Sequence, residues 1–149
     1  MSIRYAHTNI IAEDWKRLVN FYQTVFDCSI VRRIGATSGA WLDVGTGVTN
    51  AEIEGVHLSL PGMGENGPTL EIFSYTRMEE KPKPKANRKG FGHLAFEVDD
   101  VSAVLADVKA HGGAALGEIS DYQIPDAGKL TYVYATDPEG NIIEIQNWS

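Results

Sequence analysis

The amino-acid sequence predicts an α+β fold of two βαβββ modules, and three observations carry that prediction. A strand-like segment with one histidine runs into an amphipathic helix twice, at Tyr5-Ala-His7-Thr-Asn-Ile and at Gly92-His93-Leu-Ala-Phe. An apolar run holding one glutamate closes each half, Thr69-Leu-Glu71-Ile-Phe in the first and Ile142-Ile-Glu144-Ile-Gln in the second. Between them Arg77 to Lys89 is charged, holds two prolines and has no periodicity, the signature of an exposed connector. The expected organisation is a first module over 1–76, a linker over 77–90 and a second module over 91–149, in one compact domain of two repeats.

The first helix is read from Trp15, Leu18, Val19, Tyr22, Val25 and Phe26, an apolar stripe at three- and four-residue spacing opened by the acidic pair Glu13-Asp14. Val101, Val104, Leu105 and Val108 repeat the stripe after Asp99-Asp100, and Gly112-Gly113 ends it. Short β-rich runs follow each helix: Ser29 to Ile34, Ala40 to Val44 and Val56 to Leu60, then Leu116 to Ile124 and Leu130 to Ala135. Asp137-Pro-Glu-Gly140 fits a tight turn joining the last two strands as a hairpin.

Alternate side chains of a strand share a face, so parity assigns each candidate to a side. Leu94, Phe96 and Val98 should meet a helix, which turns His93 the other way. Leu70 and Ile72 leave Glu71, Phe73 and Tyr75 opposite, and Ile142, Glu144, Gln146 and Trp148 fall together. Val56, Leu58 and Leu60 likewise turn His57 away from the helix. If the two sheets curl toward each other, these faces line a cavity with mixed walls.

A carboxylate in an apolar run needs a charge partner. Two histidines and two glutamates placed alike by two copies of one unit make a divalent metal the most economical partner, with His7, Glu71, His93 and Glu144 as ligands. Two imidazole nitrogens and two carboxylates suit zinc, nickel, cobalt, manganese or ferrous iron, and in an octahedral shell leave two positions for water or substrate. Taken singly, each residue reads as a satisfied core histidine or an edge-strand charge; the matched pairs favour the metal. His57 reads as a hydrogen-bonded or exposed strand histidine, ahead of a spare ligand, a partner to a ligand or a substrate contact. Trp41, Phe73 and Trp148 are candidates for aromatic contact with a substrate.

Other features are excluded or set aside. The net charge of −7 argues against nucleic-acid and anionic-membrane partners. No run has the length of a membrane span and the N-terminus lacks a signal-peptide pattern, so a cytoplasmic protein is expected. One cysteine, Cys28, allows no internal disulfide. Gly62-Met-Gly64-Glu-Asn-Gly67 spells G-x-G-x-x-G, yet Pro68 and a strand follow where a dinucleotide site needs a helix. The cluster Lys81, Lys83, Lys85, Arg88 and Lys89 reads as a solvated linker. His111, in the last turn before Gly112, suits the negative end of a helix.

The residues resemble the vicinal oxygen chelate superfamily, which holds glyoxalase I, methylmalonyl-CoA epimerase, extradiol dioxygenases and bleomycin and fosfomycin resistance proteins. The resemblance spans nearly the whole chain: His7 with Asn20-Phe-Tyr22, Leu70-Glu71-Ile72-Phe73, Gly90 to Asp99 around His93, and Asp137-Pro-Glu-Gly140-Asn-Ile-Ile-Glu144. It implies a curved, mixed-sheet, metal-holding cup and a homodimer, with His7, Glu71, His93 and Glu144 as ligands. The cup is built within one chain or shared, His7 and Glu71 of one subunit facing His93 and Glu144 of the other. Glu71 fills the position that ring-cleaving dioxygenases leave open. The resemblance therefore favours a lyase or isomerase of glyoxalase or epimerase type, acting on a small carbonyl compound or thioester through an enediolate. Glu144 is then the expected base and Glu71 its counterpart. Alternatives of the same fold are an extradiol-type dioxygenase and a non-catalytic drug- or metabolite-binding protein. Arg4, Arg32, Arg33 and Arg77 are candidates for a glutathione contact, with no motif that selects among them.

Overall fold

The two longer helices form where an acidic residue caps an apolar stripe. In the computed structural model, which describes residues 1–149, β1 (His7–Ile11) leads into α1 (Trp15–Phe26). The Asp14 carboxylate accepts the Arg17 backbone N–H at 3.0 Å, satisfying one donor that the first turn would otherwise leave free. Asp27, in the left-handed conformation, ends the helix. Leu18, Val19, Phe21, Tyr22 and Phe26 are buried, and α1 packs on β3 (Glu52–Ser59) and β4 (Thr69–Tyr75). Phe21 takes a core place that the predicted stripe did not include, while Trp15 and Val25 stay half-buried. Burying each large apolar side chain stabilises the unit by about 1.5–3 kcal/mol.

The chain divides into two compact units, Met1–Lys81 and Pro82–Ser149. In the first, the sheet runs β1-β4-β3-β2, with β2 spanning Ser29–Ser38. The first and last strands of the unit are parallel neighbours, and β4, β3 and β2 pair antiparallel. Val56, Leu58, Leu70 and Ile72 are fully buried on one face. Parity then places His57 and Glu71 on the other. The Gly62 to Gly67 segment is the connection between antiparallel β3 and β4, with no helix after it.

The run Ala40 to Val44, expected as a strand, is instead part of a short helix, α2 (Ala40–Thr46). Gly39 and Gly47, at φ 135° and 72°, bracket it in backbone that other residues rarely adopt. The Asp43 carboxylate accepts the N–H groups of Asn50 and Ala51, both at 2.8 Å, and fixes the exit. Seven residues with one inward side chain, Leu42, cannot separate a period of 2 from one of 3.6. Leu42 packs with Ala51 and Ile53 against Phe73 and Tyr75, so α2 covers one end of the face that carries Glu71.

The second unit repeats the plan. β5 (Leu94–Glu97) precedes α3 (Val101–Ala110), capped by Asp100 accepting from Ala103 N–H at 2.9 Å. Val101, Leu105 and Val108 are buried. The sheet order is β5-β9-β8-β6, with β6 Ala114–Ala115, β8 Gly128–Thr136 and β9 Ile142–Trp148; β7 (Ser120–Ile124) also pairs β8. The expected single run Leu116 to Ile124 is thus broken, its start lying between β6 and β7. Ile143 and Ile145 are fully buried and Glu144 alternates with them. The Asp137 turn forms as expected: Gly140 N–H reaches Asp137 O at 3.0 Å. The Asp137 side chain, 2% exposed, accepts from Glu139 N–H, Asn141 N–H and Asn141 Nδ2 at 2.9, 2.9 and 2.7 Å. No helix is long and apolar enough to cross a membrane.

Candidate functional site

In the first unit Glu71, a residue 7% exposed, places its carboxylate at the centre of a polar cluster. His7 Nε2 lies 3.3 Å from Oε2 and His57 Nε2 lies 3.1 Å from Oε1. Asn9 Nδ2 donates to Oε2 at 3.4 Å. The strand register explains the meeting: Glu71 is directly across from Asn9 on β1 and from His57 on β3. Side chains opposite one another share a face.

His57 is held below its ordinary value of 6.5, chiefly by burial; the Glu71 charge opposes this, while Arg32 and His7 add to it. The neutral ring donates through Nε2–H to Glu71 and accepts the Thr69 hydroxyl at Nδ1, 3.4 Å away; this tautomer follows from the hydrogen-bond network. Phe73 packs edge-on against it, ring centroids 5.9 Å apart.

The second unit places His93 Nε2 2.8 Å from Glu144 Oε2. Tyr134 lies directly across from Glu144 on β8, and its ring stacks on His93 at 4.8 Å between centroids. Burial raises the Tyr134 phenol above its ordinary value of 10.0, with the Glu144 charge and Tyr132 adding to it. The phenol stays protonated.

The two registers make the units comparable position by position. Asn9 pairs Glu71 as Ala95 pairs Glu144, and His57 pairs Glu71 as Tyr134 pairs Glu144. His7 and His93 each lie two residues before the paired position. The chemistry around the carboxylates differs: three side chains hold Glu71, whereas His93 alone is bonded to Glu144.

Each unit thus brings together its own predicted histidine and glutamate. Within either unit, no group of three or more histidine, cysteine, aspartate and glutamate side chains is arranged to hold a metal ion. In the first unit the imidazoles point at carboxylate oxygens rather than at a common point. Among the aromatic candidates, Phe73 is half-buried beside His57. Trp148 lies on the Glu144 parity of β9, while Trp41 is 66% exposed on α2. His111 caps α3, its Nδ1 2.8 Å from Asp107 O. Asn9, Thr69 and Tyr134 escaped the sequence reading; the parity that selected His57 also selects Tyr134, two residues before Thr136 in a run read only as strand.

The chain belongs to the Glyoxalase/Bleomycin resistance protein/Dioxygenase superfamily, which matches residues 4–145. A Vibrio cholerae serotype O1 protein named probable lactoylglutathione lyase is 27% identical over 148 residues, covering 97% of this chain and 91% of the relative. Among solved structures, a glyoxalase family protein from Bacillus cereus aligns with a TM-score of 0.84 at 17% identity, over 99% of this chain and 95% of its own. The trypanothione-dependent glyoxalase I of Leishmania major aligns with a TM-score of 0.60 at 23% identity, over 98% and 87%. At these identities the structural likeness bears on fold alone.

Proposed function

We propose that this protein is a divalent-metal-dependent lyase or isomerase acting on a small carbonyl compound or thioester, with His7, Glu71, His93 and Glu144 as metal ligands. The observation that carries the reading is the repeated histidine–glutamate pair, one per module, at equivalent places: each histidine lies two residues before the residue paired with its glutamate. Its spacing suits neighbouring ligands of one ion: donors about 2.1 Å from a metal and at right angles to each other lie about 3.0 Å apart, against 3.3 and 2.8 Å here. The two carboxylates also balance a 2+ ion. Supporting the reading are the superfamily membership and the relative named as a lactoylglutathione lyase.

A bound divalent ion would supply Lewis acidity at the substrate carbonyl. Glu71, held by His57 and Asn9, keeps a fixed orientation. Glu144, with no side chain beyond the ligand His93 to hold it, is freer to swing and to take the proton next to the carbonyl, then return it. His93 and the stacked Tyr134 bound the space in which it moves. Ring cleavage of a catechol fits less well, because the firmly held Glu71 occupies a position that chemistry needs open. The ligands come from both modules, within one chain or across a homodimer.

Metal analysis tests the reading. Reconstituted protein should retain a stoichiometric divalent ion, and His93→Ala and Glu144→Gln should weaken its binding. Proton exchange next to the carbonyl, followed by NMR over hemithioacetals and acyl thioesters, should depend on Glu144. No retained metal, or undiminished affinity in both variants, overturns it.

A further inference from the structure

The row of side chains across the first sheet does not stop at His57. Arg32 on β2 is directly opposite His57, so Asn9, Glu71, His57 and Arg32 form one line across four strands on one face. A β-bulge creates this arrangement. Ser29 pairs Ser59 and Ile30 pairs Leu58, after which the register jumps so that Arg32, not Val31, meets His57. Without the extra residue a valine would end the row and Arg32 would point to the α1 side. Bulges re-aim side chains in this way, and an arginine turned onto the face of a histidine–carboxylate cluster is a specific outcome of the shift.

Arg32 is exposed and takes part in none of the chain's ion pairs. The carboxylate of the row, Glu71, is already engaged by His7, His57 and Asn9. The guanidinium therefore offers a planar pair of donors to an incoming anion. Its Cα lies two strand spacings from that of Glu71, about 10 Å, a gap the extended side chain narrows.

We propose that Arg32 is a specificity-determining residue that anchors an anionic group, a carboxylate in the simplest case, borne by the substrate a few bonds from its reacting carbonyl. This rests on the metal-dependent reading above and narrows its substrate class to anionic carbonyl compounds. The row supplies both ends of such a molecule: the Glu71 end holds the carbonyl side, and Arg32 holds the charge.

The test compares two hydroxamates that present the same chelating oxygens, acetohydroxamate and the monohydroxamate of succinic acid, which adds one carboxylate. Titrated into cobalt-loaded protein and followed by the cobalt absorption bands, the carboxylate-bearing ligand should bind about tenfold tighter, the strength of one charge-assisted pair. Arg32→Gln should abolish the advantage, Arg32→Lys should keep part of it, and rising salt should reduce it. Equal affinities in the unaltered protein, or an advantage unchanged in Arg32→Gln, overturns the proposal. A second arm needs no metal: succinate, but not succinamide, should shift the Arg32 Nε–H resonance more than that of Arg33. If the protein takes up no cobalt, the metal reading fails and this arm decides alone, an absent or unselective shift overturning the anchor.

Discussion

His57 and Tyr134 hold the same place in the two modules, each directly across an antiparallel pair from its module's glutamate. One residue donates to its carboxylate; the other stacks on the histidine that does. If this difference fixes Glu71 and leaves Glu144 loose, the two positions respond unequally to substitution. His57→Phe should weaken divalent-metal binding about tenfold, the usual cost of removing a hydrogen-bond partner behind a ligand. His57→Gln should recover part of the loss, and Tyr134→Phe should stay within about twofold. Competition with a chromogenic chelator measures all three; equal losses at both positions would show that the carboxylates are held alike.

The His57 ring should be neutral at pH 7 in the metal-free protein. Its value lies below 6.5, chiefly through burial. Nitrogen-detected NMR should find the proton on Nε2 and a titration midpoint below that of an exposed histidine. The unfolded chain then takes up the proton first as the pH falls, so stability is lost as the pH drops through about 6.5. Urea midpoints at pH 7.5 and 5.5 should separate more in the unaltered protein than in His57→Gln.

Asp137→Ala should destabilise the fold by about 3 kcal/mol, because the buried carboxylate accepts three hydrogen bonds in the β8–β9 turn. Urea denaturation reads the change, and a shift below about 1 kcal/mol would mean that the turn is held by Gly140 alone.

Burial, with a smaller contribution from Asp27, pushes the Cys28 thiol up to about 12. Iodoacetamide attacks thiolates, so the native protein should resist labelling at pH 8 and react fully once unfolded. Rapid labelling of native protein would show that the end of α1 opens readily.

The two longer helices and the histidine–glutamate pairs are legible because they write themselves in spacing. The Trp15 to Phe26 stripe shows period 3.6, and alternation around Glu71 and Glu144 assigned each to the face away from its helix. What stayed hidden depends on register between strands distant in sequence. Asn9 meets Glu71 across 62 positions, and no local pattern announces such a pairing. Arg32 is the sharper case: parity alone, without the bulge, sends it to the wrong face. The α2 segment failed for another reason, being too short to display a period.

The parallel pairing of β1 with β4 has a consequence for the protein's birth. His7 opens the first strand of the module and Glu71 lies in its last. At ribosomal speeds of 5–20 residues per second, the two are synthesised about 3–13 s apart. Until the final strand slots beside the first, the nascent chain carries a lone imidazole with no carboxylate at its side. The joined histidine and glutamate are therefore a certificate that the first module has closed its sheet.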